Sequence, residues 1–366
     1  MNTRTSHLTP RPGIMEISPY VGGRSALDGR QNVIRLAANE SALGPSPRAV
    51  AAYEALGSSL HRYPDGGAGD LRDALGTLNG LDPARIVCGT GSDEILQLLT
   101  KAYAGPGDEV LYSRHGFLVY ALAARAAGAT PVAAPETDLR ADVDSLLEHV
   151  TERTRVLFLA NPNNPTGSYL SRGELRRLWS GLPENILLVI DSAYAEYVTV
   201  ADYEAGAELV DAGKNVVMTR TFSKIYGLAA LRLGWCYAGE EVIDVMNRVR
   251  GPFNVTAPAL AAGLAAVQDQ DHVDAARRHN DKWLKRLVPE LQNIGITVLP
   301  SVCNFLLLRF PEGGGHDSKA ADMFLTSRGI LARNVDTYHL LDCLRVSIGR
   351  DDEMDALLSA LKEFMA

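Results

Sequence analysis

The chain has 366 residues, of which 46% are hydrophobic and 22% are charged, and it carries a formal net charge of −8 at pH 7. This length exceeds what one hydrophobic core usually organises, so two domains are expected. The acidic balance argues against nucleic acid as a partner, because phosphate neutralisation requires clustered Lys and Arg. The sequence has no apolar run near the ~20 residues of a membrane span and no secretory signal at its N-terminus, so we expect a cytoplasmic protein without a membrane partner.

The predicted elements begin with short β-rich runs that alternate with helical stretches from about residue 80 to 240, as in βαβ units around a mainly parallel sheet. The predicted strands cover 86–88, 109–112, 156–160, 187–190 and 216–219. Beyond residue 240 the pattern predicts helices over roughly 240–250 and 258–287, then strands over 303–309 and 343–348. This later region is interpreted as a second domain, so the expected fold class is α/β.

The four cysteines, Cys88, Cys236, Cys303 and Cys343, are widely spaced and form no CxxC pair. The eight histidines show no metal-ligand spacing. We therefore expect buried thiols and no metal site.

Polar segments follow two of the predicted strands, where open α/β sheets bind their ligands. The segment GTGSDE (89–94) leads into a helix whose free N–H groups suit an anion, although an ordinary capped helix is the simpler alternative. The segment NPNNPTG (161–167) is a turn by composition. As a functional alternative, an Asn amide in this segment would donate a hydrogen bond to a ring oxygen of a ligand that lies across the strand ends.

Two ionisable residues follow the next strands. Asp191 ends an apolar run, where a buried carboxylate requires a partner such as a cationic ring nitrogen; capping of the next helix is the alternative. Lys224 lies in FSKIYG, and a buried lysine there suits Schiff-base chemistry, although a lysine after a strand is usually solvated. Thr221, Ser223 and Arg232 are candidate phosphate ligands nearby. Together the strand ends indicate a phosphorylated aromatic aldehyde with a ring nitrogen.

At this point the sequence resembles the class II branch of the fold-type-I aminotransferases, and within it the family that acts on histidinol phosphate. The resemblance runs nearly end to end and is carried by these segments in order: ISPYVGG, LAANESALGPSP, HRYPDG, GTGSDEILQ, LANPNNPTG, IDSAYAEY, TRTFSKIYGLAALRLGW and LRVSIG. It implies a large, mainly parallel seven-stranded α/β/α domain over 51–264. It also implies a smaller α+β domain over 31–50 and 265–366, and an N-terminal arm over 1–30.

The resemblance implies pyridoxal 5'-phosphate as the cofactor, joined to Lys224 as an imine, with catalytic roles for Lys224, Asp191 and Tyr194. Asp191 would bind the pyridine nitrogen, and Asn164 with Tyr194 the phenolic oxygen. The implied phosphate ligands are Gly91, Ser92, Asp93, Thr221, Ser223, Arg232 and, from the other subunit of a homodimer, Tyr63. The implied substrate ligands are Tyr20, Asn39, Asn164, Arg333 and Arg345.

Two positions depart from the pattern of the family. Phe117 stands where relatives often have a cofactor-stacking Tyr, and it keeps an aromatic face for that contact. Ser192 follows Asp191 where Glu is frequent.

The implied reaction is a ping-pong transamination between histidinol phosphate and 2-oxoglutarate in histidine biosynthesis, in which Lys224 exchanges its imine and then moves a proton. A broad aromatic amino-acid aminotransferase and a threonine-phosphate decarboxylase-like enzyme of the same fold stay open as alternatives. A regulator built on this fold is disfavoured, because it normally adds a DNA-binding module and we expect none ahead of about residue 15. A nicotinamide dehydrogenase is disfavoured because no GxGxxG follows a predicted strand.

Overall fold

A computed structural model describes residues 9–19, 22–24, 26–27, 30 and 32–366 of the chain. Its α-helices are α1 Pro47–Glu54, α2 Gly69–Asn79, α3 Gly91–Tyr103, α4 Val119–Ala127, α5 Val143–Glu148, α6 Arg172–Gly181, α7 Ala207–Ala212, α8 Glu240–Val249, α9 Ala257–Gln268, α10 Gln270–Asn293, α11 Ser318–Ser327 and α12 Asp351–Met365. Its strands are β1 Ile34–Arg35, β2 Ile86–Gly89, β3 Glu109–Ser113, β4 Thr130–Ala134, β5 Glu136–Thr137, β6 Arg140–Ala141, β7 Thr154–Ala160, β8 Leu187–Asp191, β9 Val216–Thr221, β10 Gly234–Ala238, β11 Thr297–Val298, β12 Phe305–Arg309, β13 Ile330–Leu331, β14 Arg333–Asn334 and β15 Cys343–Ser347.

The largest sheet in the described part of the chain has seven strands in the order β2-β10-β9-β8-β7-β3-β4. Strand β10 runs antiparallel to both of its neighbours, and the other pairings are parallel. The predicted mainly parallel α/β sheet is therefore confirmed. The carboxyl ends of β7, β8 and β9 meet at one edge, where Asp191 is in register with Ala160 and Thr219.

The central strand β8 is buried along its whole length, which explains its continuous apolar run. Its residues alternate between two hydrophobic cores, one on each face of the sheet. Leu188 and Ile190 lie in the core that also contains helices α2, α6 and α9, whereas Leu187 and Val189 lie in the core with α3, α4 and α8. Because both faces are covered by helices, the strand ends are left as the place where polar side chains converge.

A second sheet has the order β11-β12-β15-β14 and is antiparallel throughout. Its core includes residues of α10, α11 and α12, and also Leu36 from the segment that follows β1. Strand β1 pairs in parallel with β13. The predicted division into an arm, a small domain and a large domain stays a prediction.

The structure differs from the sequence-based elements in one helix and in several strands. The helix predicted over 258–287 is two helices, because Asp269 leaves the helical conformation at φ −103° and ψ 66° and the Gln270 amide donates to the Val267 carbonyl at 2.7 Å. Strands β4 and β10 were not predicted, since TPVAA and GWCYA are short and carry little β-branched alternation.

All four cysteines are buried free thiols. Among the residues that the structure describes, no helix is both long enough and apolar enough to cross a bilayer.

Candidate active site

A cavity of about 380 Å³ lies where the ends of β7, β8 and β9 face residues of the antiparallel sheet. Most of the residues predicted from the sequence share this cavity. Those that line it are Asn39, Ser92, Asp93, Phe117, Asn164, Asp191, Tyr194, Thr221, Ser223, Lys224, Arg232, Arg333 and Arg345.

Asp191 is the last residue of β8 and its side chain is buried. Its Oδ2 accepts a hydrogen bond of 2.9 Å from the Tyr120 hydroxyl, and its Oδ1 accepts one of 3.2 Å from the Thr219 hydroxyl. Burial raises the pKa of this carboxyl to about 6, although the hydrogen bond from Tyr120 favours the ionised form. Both partners are neutral, so a cation bound in the cavity would stabilise the buried carboxylate.

The start of α3 and the Arg232 guanidinium form a cradle for an anion. Helix α3 begins at Gly91 without a side-chain cap from Thr90, so its first turn carries the positive end of the helix dipole. Arg232 donates from Nη1 to the Ser223 hydroxyl at 3.1 Å, and its Nη2 lies 3.2 Å from Asp93 Oδ2. Thr221 also faces the cavity, and its hydroxyl accepts from the Ser223 N–H at 3.1 Å.

Two glycines permit this close arrangement. A Cβ added to Gly91, which has a φ of +79°, would lie 2.6 Å from Arg232 Nη2. A Cβ added to Gly234 would lie 2.3 Å from the Ser92 nitrogen. Any side chain at Gly91 would therefore occupy the space between the helix start and the guanidinium, which is the space that an anion requires.

Lys224 lies in the turn after β9, and its Nζ donates to the Ala38 carbonyl at 3.3 Å. The Nζ atom is 5.7 Å from the centroid of the Tyr194 ring. Burial, together with the positive charge of Arg345, lowers the pKa of the ammonium to about 8. At pH 7 about one lysine in ten is then a neutral amine, whereas the ordinary pKa leaves about one in three thousand. Lys224 is thus suited to act as a nucleophile.

Tyr194 lies below the cavity with 3% of its surface exposed. Its hydroxyl accepts a hydrogen bond of 2.9 Å from Asn39 Nδ2, and its ring meets that of Phe305 edge-on at 5.3 Å. Burial raises the pKa of the phenol above its ordinary value, so the group is a neutral donor at physiological pH. Tyr194, which follows strand β8, is therefore held by Phe305 of β12 and by Asn39 from the segment after β1.

Arg345 and Arg333 bring positive charge to the cavity from adjacent strands, where they are in register. Arg345 donates to the Ala37 carbonyl at 2.7 Å and to Asn164 Oδ1, and its guanidinium lies 5.3 Å from the Phe305 ring centroid. Because Arg345 engages the Asn164 oxygen, the Asn164 amide presents its nitrogen, a donor, to the cavity. Guanidinium groups in this position suit phosphate and carboxylate groups alike.

Phe117 and Ser192, the two departures from the family pattern, each have a clear place. Phe117 lines the cavity and meets the Tyr120 ring edge-on at 6.0 Å, so it offers an aromatic face. Ser192 is fully buried, and its hydroxyl donates to the Ala205 carbonyl at 2.6 Å. Ser192 therefore ties the end of β8 to the loop before α7 and places no second carboxylate beside Asp191.

Tyr63 is a predicted ligand that does not line this cavity. The side chain of Tyr63 is 82% exposed and stacks on Phe253 at 4.7 Å. Its predicted contact belongs to the site of another subunit and stays a prediction. Tyr20 lies outside the described residues.

The sequence did not indicate several residues of the site, among them Tyr120, Thr219, Tyr338 and Ser347. Tyr338 lines the cavity, whereas the other three hold Asp191 or Asn39 by hydrogen bonds. A signal existed for Ser347, because strand residues two apart share a face and Arg345 was already a candidate. No local pattern indicates Tyr120, since its contact with Asp191 depends on how α4 packs on the sheet.

The chain was compared with known families, proteins and structures. The model of the family described as aminotransferase class I and II matches residues 31–361. The histidinol-phosphate aminotransferase of Paramagnetospirillum magneticum is 60% identical over 97% of this chain and 98% of its own length. That of Rhodospirillum centenum is 55% identical over 97% of this chain and 98% of its own length. The crystal structure of histidinol-phosphate aminotransferase from Sinorhizobium meliloti in complex with pyridoxal-5'-phosphate is similar with a TM-score of 0.88 at 30% identity, covering 99% of this chain and 98% of that one.

Proposed function

The chain belongs to the class I and II aminotransferases, and on that premise we propose that it transfers the amino group of histidinol phosphate to 2-oxoglutarate, in histidine biosynthesis, with pyridoxal phosphate as its cofactor. The names of relatives at 55% and 60% identity over nearly the full length support the substrate. The observation that carries the proposal is the convergence of Lys224, Asp191 and the Arg232 anion cradle on one cavity.

The residues fit pyridoxal phosphate group by group. The start of α3, Ser223 and Arg232 suit its phosphate, and Gly91 keeps free the space that a Cβ would fill. The buried Asp191, whose hydrogen-bond partners are neutral hydroxyls, suits a protonated ring nitrogen. Lys224 offers the amine that an aldehyde requires. When bound, pyridoxal phosphate supplies an electron-withdrawing ring that stabilises a carbanion at the substrate carbon.

The side chains of this chain then have separate tasks. Asp191 would keep a proton on the ring nitrogen, because a ring cation beside it stabilises its buried, ionised carboxylate. Tyr194 and Asn164 would donate hydrogen bonds to the phenolic oxygen of the cofactor. Lys224 would hold the cofactor through its aldehyde carbon, and the free Nζ would take a proton from the substrate carbon as a general base. Its lowered pKa of about 8 suits this role at neutral pH.

The two arginines account for a site that takes two different substrates in turn. Histidinol phosphate carries a phosphate, and 2-oxoglutarate carries carboxylates. Arg345 on β15 and Arg333 on β14 bind such anions, since planar guanidinium groups form paired hydrogen bonds with either. Asn39 completes the substrate side of the cavity.

We further propose that the enzyme is a cytoplasmic homodimer. Tyr63 and Phe253 form an exposed aromatic stack outside the cavity, and such a surface suits a contact with a second copy. Four buried free thiols suit a reducing compartment. Sedimentation analysis of the parent and of Y63A tests the dimer, and loss of association in Y63A is the expected result.

The role of Lys224 is tested with the variant Lys224→Ala and the matched control Lys214→Ala. Lys214 is exposed and pairs with Glu241, far from the cavity. We expect K224A to lose transamination by several orders of magnitude while still binding pyridoxal phosphate non-covalently, and K214A to behave as the parent. Borohydride reduction followed by peptide mass spectrometry should find the cofactor on Lys224 in the parent. Substantial turnover by K224A would refute the assignment.

The substrate is tested by measuring glutamate formed from 2-oxoglutarate with histidinol phosphate or with phenylalanine as donor. We expect kcat/KM to be far higher for histidinol phosphate. Equal values would indicate a broad aromatic aminotransferase. Carbon dioxide released from threonine phosphate, with no glutamate formed from either donor, would indicate a decarboxylase instead.

A further inference from the structure

The side chain and backbone of Asn39 are held by hydrogen bonds at every polar group. Asn39 is 1% exposed and has a φ of +55°. Its N–H donates to the Ser347 hydroxyl at 2.8 Å, and its carbonyl accepts from Asn304 Nδ2 at 3.2 Å. Its Oδ1 accepts from the Ser347 hydroxyl at 3.1 Å, and its Nδ2 donates to the Tyr194 hydroxyl at 2.9 Å. Ser347, at the end of β15, therefore contacts Asn39 twice.

The direction of these hydrogen bonds follows from counting protons. A serine hydroxyl has one proton, and that of Ser347 accepts from the Asn39 backbone while donating to Oδ1. With Oδ1 facing Ser347, the other end of the amide, Nδ2, faces Tyr194. The Tyr194 oxygen is then an acceptor from Asn39, so its own proton is not used in that contact and is directed elsewhere.

We propose that Ser347 is a positioning residue that fixes the orientation of the Asn39 amide, so that Tyr194 donates its phenolic proton into the cavity. This inference rests on the proposed function, in which the acceptor in the cavity is the phenolic oxygen of the cofactor. Tyr194 lines the cavity, and Lys224 Nζ lies 5.7 Å from its ring centroid. A proton donated there would act on the phenolic oxygen, which is ortho to the aldehyde group that Lys224 would bind.

Without the Ser347 hydroxyl, the amide of Asn39 has an alternative orientation. Rotation by half a turn brings Oδ1 to Tyr194, and the phenol then donates to Asn39 instead of into the cavity. The amide itself keeps one hydrogen bond to Tyr194 in either orientation once the Ser347 hydroxyl is gone, whereas the phenol gives up its donation into the cavity when the amide rotates. Loss of a hydroxyl on β15 is therefore expected to have the same effect as loss of the hydroxyl on Tyr194.

The test is a pH titration of the visible absorbance of the cofactor-loaded protein without substrate, in the parent, S347A, S347T and Y194F. The form with the more negative phenolic oxygen is the deprotonated one, and a hydrogen-bond donor stabilises it. Removing the donor should raise the pKa of the spectral transition by about 1, as expected for one hydrogen bond to a charged oxygen. We expect this rise in S347A and Y194F, whereas S347T, which keeps the hydroxyl, should stay near the parent.

The double variant S347A/Y194F separates a positioning role from a general disturbance. We expect it to titrate like Y194F alone, because Ser347 acts through Tyr194. The control S318A removes another buried serine hydroxyl, one that donates to the Leu341 carbonyl, and should titrate like the parent. A parent-like titration in S347A, or an additional rise in the double variant, would overturn the inference. A parent protein that develops no visible band with pyridoxal phosphate would instead overturn the proposed function, and this inference with it.

Discussion

Replacing Asp191 with Asn should stabilise the apoprotein at alkaline pH while it abolishes transamination. Burial raises the pKa of this carboxyl from its ordinary value of 3.8 to about 6. The folded state therefore holds the proton more tightly than the unfolded state, and stability is lost as the pH rises through this window. The full cost of keeping the carboxylate ionised above pH 6 is about 3 kcal/mol, at about 1.4 kcal/mol for each pKa unit.

The assay is urea unfolding of the apoprotein and of apo-D191N at pH 5 and at pH 8. About half of the cost is already present at pH 5, since the unfolded carboxyl is ionised there. The free energy of unfolding of the parent relative to D191N should thus fall by about 1.5 kcal/mol between the two pH values. Saturating pyridoxal phosphate should cancel this fall in the parent, because a ring cation beside Asp191 restores its pKa. An equal pH dependence in the two apoproteins would refute the reasoning.

Three further outcomes are expected. In Gly91→Ala the added Cβ contacts Arg232 and the residue has an unfavourable φ of +79°, so the Kd for pyridoxal phosphate should rise at least about tenfold. The control Gly105→Ala has open space around the added Cβ and should bind as the parent does. Equilibrium fluorescence titration measures both Kd values. Arg345→Ala should raise KM about tenfold or more for donor and acceptor alike in steady-state kinetics, and an effect on one substrate alone would argue against a shared anion site. The rate of cofactor attachment to the apoprotein should increase as the pH rises through about 8, the pKa of Lys224. Stopped-flow absorbance measures this rate, and a midpoint near the ordinary pKa of lysine would contradict the prediction.

The sequence indicates the large sheet well, and for a physical reason. Strands buried on both faces are largely apolar, so β7, β8 and β9 are visible as apolar runs that lead into polar residues. The predicted fold-type-I aminotransferase architecture is confirmed by the sheet and by its structural relatives. The antiparallel strand β10 and the break between α9 and α10 depend on tertiary packing and on one polar capping contact, and neither has a periodic pattern.

The candidate site divides in the same way. Residues at or just beyond the strand ends, such as Asp191 and Lys224, were identifiable because the carboxyl edge of a parallel sheet gathers them. Residues that hold these side chains by hydrogen bonds were not identifiable from the sequence. Tyr120 is in an apolar helix, so the sequence does not indicate a role for its hydroxyl. Its partner Asp191 is 71 residues away in the sequence. Single sequences carry no signal for such contacts, whereas Ser347 was inferable from the strand period that it shares with Arg345.

The residues of the site come from two sheets, and this affects how its substrate preference can change. The cradle of Arg232 and the start of α3, with Asp191 and Lys224, belongs to the large sheet, whereas Arg333 and Arg345 are on neighbouring strands of the antiparallel sheet. Substitutions on β14 can therefore alter which anion is accepted without touching the groups that suit the cofactor. Libraries directed to β14 and the turn after it should yield variants with new donors and unchanged cofactor affinity, so this edge strand can diverge in substrate preference independently of the cofactor site.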